Sequence, residues 1–236
     1  MKNVLITGSS SGIGAEIARL FSENEYHVHL HGRDSSRLEM IAHKLAGPST
    51  IHQVDLSDEK ALSFWLDRLV EDEEGLDCLV NNAGIYTRQP VTELSMEENR
   101  RLFEVNYFTL VEISKRLYPL LKKAKGNVIN MSSTAGMRPV QGIAAYCATK
   151  AAVNMFTETM SLEWAPDVRV NAICPGIVDT PIHQMKNNEE MNDFQPMKRI
   201  GTPRDVANLA WFLANDELSS WTTGTVMPVS GGIHLI

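Results

Sequence analysis

The chain has 236 residues, 43% of them hydrophobic, and a formal net charge of −7. That is enough apolar material for one substantial core, so a single domain over residues 1–236 is expected. The acidic balance argues against nucleic acid or an anionic membrane as partner, and Cys78, Cys147 and Cys174 have neither metal-ligand spacing nor a disulfide pattern, so no metal is expected.

Asn3 to Thr7 is a short, β-branched run that reads as a strand. It breaks at Thr7-Gly8, too early for a signal-peptide core, and no stretch is long enough to span a bilayer; a cytoplasmic location is expected. Ile13 to Asn24 reads as an amphipathic helix, "YHVHLH" as a strand and Ser36 to Leu45 as a helix. "TIHQVD" precedes the helix of "DEKALSFWLDRLVED", and "LDCLVNN" precedes a long helix from about Met96 to Lys123. "GNVINMSS" precedes a helix near Tyr146 to Trp164. "VRVNAICPG", a helix over Pro203 to Asn215 and "GTVMPVSGG" complete the order. Strands alternating with helices imply βαβ units. The simplest topology is an α/β, Rossmann-type doubly wound parallel sheet of about seven strands with helices on both faces. Residues 183–199 are polar and rich in Met and Asn; the region of about 180–200 reads as a flexible substrate loop or as an ordinary solvated one.

"ITGSSSGIG" follows the first strand and opens the first helix. Free backbone N–H groups and the helix dipole at such a terminus favour an anion. Gly8 permits a tight turn, and Gly12 and Gly14 remove the Cβ atoms that would keep a pyrophosphate and a neighbouring strand away.

Other candidates sit at strand ends or on helices. Tyr146 and Lys150 are four apart on one helix face. A nearby ammonium lowers a phenol's pKa, so the pair could exchange protons nearer neutrality. Ser132 and Ser133 end a strand, where ligands of open parallel sheets bind. Either hydroxyl could hold a substrate oxygen, or serve only as a turn or cap. Asn106 lies inside a helix among apolar neighbours, where an amide needs a partner; it is either functional or a structural brace of an irregular backbone.

Taken in chain order, these motifs resemble the short-chain dehydrogenase/reductase family in its compact form, from Val4 to about Gly232. Thr7-Gly8-x-x-x-Gly12-Ile13-Gly14, Asn81-Asn82-Ala83-Gly84 and Pro175-Gly176 with Thr180 match its motifs, and Asn106, Ser133, Tyr146 and Lys150 match its catalytic tetrad. The resemblance implies hydride transfer between a nicotinamide dinucleotide and a carbonyl or secondary alcohol. It implies Tyr146 as proton donor and Ser133 as the holder of the substrate oxygen. Lys150 would tune Tyr146 and bind the nicotinamide ribose, and Asn106 would hold a relaying water. Gly8, Ser10, Ser11, Gly12, Ile13 and Gly14 would line the pyrophosphate, and Asp55 with Leu56 the adenine. Asn82, Ala83 and Gly84 would line the adenosine ribose, and Pro175, Gly176, Ile177 and Thr180 the nicotinamide.

Cofactor choice turns on "HLHGRDSSR". NAD-specific relatives carry an acidic residue at the position of Gly32. Arg33 follows, and its guanidinium suits a 2′-phosphate. NADP(H) is therefore expected to be preferred and NAD(H) tolerated, with Asp34 pointing away. "MKRIGTPRDVA" and "TGTVMPVSGG" resemble segments of 3-oxoacyl-[acyl-carrier-protein] reductases, although sugar, steroid and xenobiotic dehydrogenases share them. The expected pocket segments, 85–91, 137–143 and 182–194, carry few charges besides Arg88 and Arg138, which favours a moderately apolar carbonyl. A homotetramer or homodimer is implied. A nucleotide-sugar dehydratase or epimerase and a non-catalytic dinucleotide-binding regulator are the rival readings; an intact tetrad counts against the second.

Overall fold

A computed structural model describes residues 1–183 and 189–236. The strands are β1 (Asn3–Ile6), β2 (His27–Gly32), β3 (Ser49–Gln53), β4 (Cys78–Asn81), β5 (Asn127–Met131), β6 (Arg169–Pro175) and β7 (Val226–Val229). They form one sheet in the order β3-β2-β1-β4-β5-β6-β7, and every pairing is parallel. The chain builds outward from β1 to β3, then returns to place β4 on the other side of β1. That reversal opens a crevice beyond the carboxyl ends of β1 and β4.

The four central strands are buried almost throughout, which explains their continuous apolar runs. β7 pairs only with β6, so its Pro228 costs no second ladder bond. Helices cover both faces. On one, α1 (Gly12–Glu23) packs against α8 (Pro203–Ala214), with Phe21, Tyr26 and Trp211 meeting edge to face. On the other, α3 (Glu59–Asp72), α5 (Thr109–Ala124) and α6 (Ala144–Trp164) bury leucines and Trp65 against Leu5, Leu79 and Val128. Polar side chains set the helix starts. Asp34 caps α2 (Ser35–Ala42), Ser95 caps α4 (Met96–Phe103), and Thr202 with Asp205 forms a capping box ahead of Pro203.

Two stretches differ from expectation. The long helix from Met96 is α4, then a π-helical segment at Glu104–Phe108, then α5. The wider turn carries Asn106, whose side chain bonds the backbone of Ile85 rather than solvent. The loop expected over about 180–200 contains a 3₁₀ turn, Pro181–His183, and α7 (Glu189–Phe194); residues 184–188 lie outside the described residues. A short helix, α9 (Asp216–Ser219), follows α8.

Candidate active site

The loop between β1 and α1 is strapped to both neighbouring strands. Thr7 Oγ1 accepts hydrogen bonds from the backbone N–H groups of Asn82 at 2.9 Å and Ala83 at 3.0 Å. The Asn82 amide donates back to the carbonyls of Thr7 at 2.9 Å and Gly8 at 3.0 Å. On the β2 side, Ser9 N–H donates to the His31 carbonyl at 2.9 Å and Ser9 Oγ accepts from His31 N–H at 2.9 Å. Glycine is needed for two different reasons. Gly8 has φ +66°, and a Cβ there would lie 2.9 Å from Ala83 Cα. A Cβ on Gly14 would lie 2.5 Å from both the Asn82 amide nitrogen and the Gly8 carbonyl oxygen. Gly14 thus serves the fit of Asn82 onto the loop and does not line the cavity. Ser11 begins α1 without a side-chain cap, which leaves first-turn N–H donors to a ligand.

A cavity of about 390 Å³ opens over this loop. Gly8, Ser10, Ser11, Gly12 and Ile13 form one wall, and Asn82, Ala83 and Gly84 another. Its lining also includes Arg33, Asp55 and Leu56, together with His31, Arg37 and Arg101. Asp34 is absent from that lining. Its carboxylate accepts from Arg37 N–H at 3.1 Å and lies 3.4 Å from Arg37 Nε, so it serves its own helix. Asp55 accepts from the N–H and hydroxyl of Ser57, which hold its pKa below the usual range with help from Arg33.

A smaller cavity of about 80 Å³ continues from the first, sharing Ile13, Asn82, Gly84, Thr180 and Ile182 with it. Ser133, Tyr146, Lys150, Pro175 and Gly176 converge there. Lys150 is 4% exposed, donates to the Met131 carbonyl at 2.8 Å and stands 5.7 Å from the centre of the Tyr146 ring. Burial pulls its pKa down to about 8. Burial pushes the Tyr146 phenol up instead, and a hydrogen bond from Ser133 is what draws it back. The lowering expected from Lys150 is therefore outweighed, because the ammonium is drawn to Met131 while the phenol is enclosed by apolar neighbours and Tyr86. Ser132 lines the same cavity but donates to the Lys150 carbonyl at 3.1 Å, and the serine hydroxyl that acts on Tyr146 is that of Ser133.

Two expected residues stand elsewhere. Ile177 lines only a separate cavity with Met197 and Arg199, which Val178 lines as well as the cleft. Val178 forms a parallel bridge with Gly201. Asn106 lines neither cavity. Its Oδ1 accepts from Ile85 N–H at 2.8 Å, and its Nδ2 donates to the Ile85 carbonyl at 3.0 Å and to Thr149 Oγ1 at 3.3 Å. Its side chain is a brace between the segment after β4 and helix α6.

His31, Arg37 and Arg101 were missed by sequence reasoning. The alternation in "HVHLHG" puts three histidines on one strand face, which was a usable signal for the first. Arg37 was within reach as one turn into a helix whose cap is Asp34; Arg101 carried none.

A family model described as enoyl-(acyl carrier protein) reductase matches residues 8–234. The chain is 32% identical to a 3-oxoacyl-[acyl-carrier-protein] reductase of Chlamydia trachomatis, over 98% of this chain and 97% of that protein. It is 36% identical to a 3β-hydroxysteroid dehydrogenase of Eggerthella lenta, over 99% of this chain and 94% of that one. The chain belongs to the short-chain dehydrogenase/reductase family. Among solved structures of the family, ElxO with bound NADP superposes with a TM-score of 0.90 at 29% identity, covering 100% of this chain and 99% of that one. This family of oxidoreductases spans unlike substrates, as the two relatives' names show, so family membership leaves the substrate open. Among the described residues no helix is long and apolar enough to cross a membrane.

Proposed function

We propose that the chain is an NADP(H)-preferring oxidoreductase that interconverts a moderately apolar carbonyl compound and its secondary alcohol, with 3-oxoacyl thioesters as candidate substrates. The observation that carries this reading is the continuity of the two cavities: a glycine-lined anion cradle leads into a pocket where Tyr146, Ser133 and Lys150 meet. The cradle suits a dinucleotide, since α1 begins at its wall with first-turn N–H groups that no side chain caps and its lining includes Arg33 and Arg37. A bound nicotinamide would supply the hydride chemistry.

In the reductive direction Tyr146, kept protonated by burial, donates its hydroxyl proton to the carbonyl oxygen. Ser133 hydrogen-bonds the same oxygen and holds it in line. Lys150, with a pKa near 8, is largely charged at neutral pH and steadies the phenolate that forms. Asn106 acts through Ile85 and Thr149, fixing the wall beside Gly84, and its side chain has no donor left for a water. Arg33 and Arg37 favour a 2′-phosphate, while Asp34 is held away by Arg37. Asp55 and Leu56 face the adenine end. A homo-oligomer fits the exposed Phe108 at the end of the π-helical segment before α5 and the exposed Met155 and Leu162 on α6.

The test is a turnover screen of ketones, hydroxysteroids and 3-oxoacyl thioesters with NADPH and NADH. Turnover with NADPH favoured over NADH by roughly tenfold is expected, from charged hydrogen bonds worth ~1.5–3 kcal/mol each. No turnover by a protein that binds the dinucleotide would leave the regulator reading in its place.

A further inference from the structure

β2 carries His27, His29 and His31 on the face turned towards α3. His27 and His29 stack at 4.7 Å, His29 Nδ1 shares a hydrogen bond with His52 Nε2 at 3.0 Å, and His31 stacks on Trp65 at 4.7 Å. At the carboxyl end of this row the ring of His31 reaches the glycine loop. There the Gly8 N–H donates to His31 Nδ1 at 3.3 Å.

That contact adds to the loop's restraints: the Asn82 amide holds the Thr7 and Gly8 carbonyls from the β4 side, and His31 holds the Gly8 N–H from the β2 side. Thr7 is held by β4 and Asn82, and Ser9 by the backbone of His31. Gly8 stands between them in a left-handed conformation, and glycine has the widest backbone freedom of any residue. Asn82 holds the carbonyl end of the Thr7–Gly8 peptide and His31 its N–H end, so the two together set the direction of the turn. We propose that His31 is a positioning residue for the dinucleotide loop, its unprotonated Nδ1 holding the Gly8 amide and with it the turn on which the cofactor's phosphates rest. The inference rests on the dinucleotide reading above.

The ring's surroundings keep Nδ1 available. Burial, with His52 adding to it, pulls the pKa of His31 down to about 4, so the imidazole is neutral at neutral pH. The groups facing it are His52 from β3, the backbone of Val54 and the carboxylate of Asp55 beyond β3, and Trp65 from α3. A ring that accepts at Nδ1 carries its proton on Nε2. The ring lies stacked on Trp65. His31 also lines the larger cavity and not the smaller one, so its influence falls on binding rather than on proton transfer.

Three substitutions separate this role from simple packing. In His31→Asn the amide oxygen takes the place of Nδ1; in His31→Gln it takes that of Nε2; His31→Leu has no acceptor. Dissociation constants for NADPH and NADH are read in the full chain from nicotinamide fluorescence, with kcat at saturating cofactor and thermal stability alongside. H31Q and H31L are expected to weaken both dinucleotides by about tenfold, the typical effect of one lost hydrogen bond to a buried donor, with kcat within about twofold. H31N is expected to stay within about threefold of the wild type. Wild-type affinity in H31Q and H31L overturns the proposal, as does H31N binding as poorly as H31L. Should the variants not fold, ring-¹⁵N spectra of the wild type decide. The Nε2–H tautomer with an Nδ1 signal that moves on NADPH binding supports the role, and an Nδ1–H tautomer overturns it. A wild type that binds neither dinucleotide overturns the parent reading, and this one with it.

Discussion

Beneath β1 and β2 the wall of the cleft is mostly backbone: carbonyls and N–H groups of a glycine loop, held in place by Thr7, Asn82 and His31. Beyond β5 and β6 the wall is made of side chains, with Lys150 enclosed against Met131 and Tyr146 packed among Leu102, Ile143 and Ala145. The first region presents backbone dipoles that need no titration. The second depends on two groups whose pKa values burial has moved, Lys150 down to about 8 and Tyr146 upward. Damage to one end should therefore appear as lost affinity, and damage to the other as lost turnover with an altered pH profile.

The sharpest way to break that division is Tyr146→Phe. It removes one hydroxyl and leaves the ring's packing intact. Turnover on a substrate limited by chemistry should fall ~10²–10⁴-fold, while the dissociation constant for NADPH stays within about twofold. Retention of more than about a tenth of wild-type kcat would remove Tyr146 from the chemistry.

Lys150→Met keeps much of the side-chain volume and deletes the charge. Because Lys150 titrates near 8 and is charged below that value, reduction by the wild type should fall as pH rises through about 8. The variant should lose that limb, with its residual optimum displaced upward and kcat/KM reduced roughly 10–100-fold, the scale of a charged hydrogen bond. An unchanged pH–rate profile would make Lys150 a packing residue alone.

At the other end, Arg33→Ala should erase about tenfold of the preference for NADPH and leave NADH use nearly unchanged. If NADH use changes equally, Arg33 does not read the 2′-phosphate. The smallest effect belongs to Asp34→Ala. Loss of the cap on α2 should cost about 1 kcal/mol in denaturant unfolding without altering cofactor preference. A gain in NADPH preference would place the Asp34 carboxylate in the cleft rather than on its helix.

The same contrast decides what could be read from the sequence. The glycine spacing, the pair Tyr146 and Lys150, and the strand ends at Asn82 and Ser133 are local patterns, so their places in the sheet followed from element order. Residues whose role depends on a partner far along the chain were harder. His31 meets Gly8 across 23 positions, and Asn106 meets Thr149 across 43. Ile177 was expected beside the nicotinamide but lines only the neighbouring cavity, because the path of the backbone after β6 is set by contacts with residues around Gly201 that local spacing does not carry. The phenol's shift was misjudged for a related reason: spacing places an ammonium near a ring, but only packing shows that Met131 competes for it.

The π-helical turn at Glu104–Phe108 also acts as a phase shifter. An α-helix advances about 100° per residue, so one inserted residue rotates everything after it by about that angle. Leu102, before the turn, packs beside Tyr146, whereas Ile113, Leu117 and Leu121, after it, pack against the opposite set of core residues on the sheet. A one-residue deletion in this segment would convert it to α-helix and swing either α4 or α5 out of register. The segment thus works as a rotational coupling, letting one continuous rod serve the pocket at its first half and the sheet at its second.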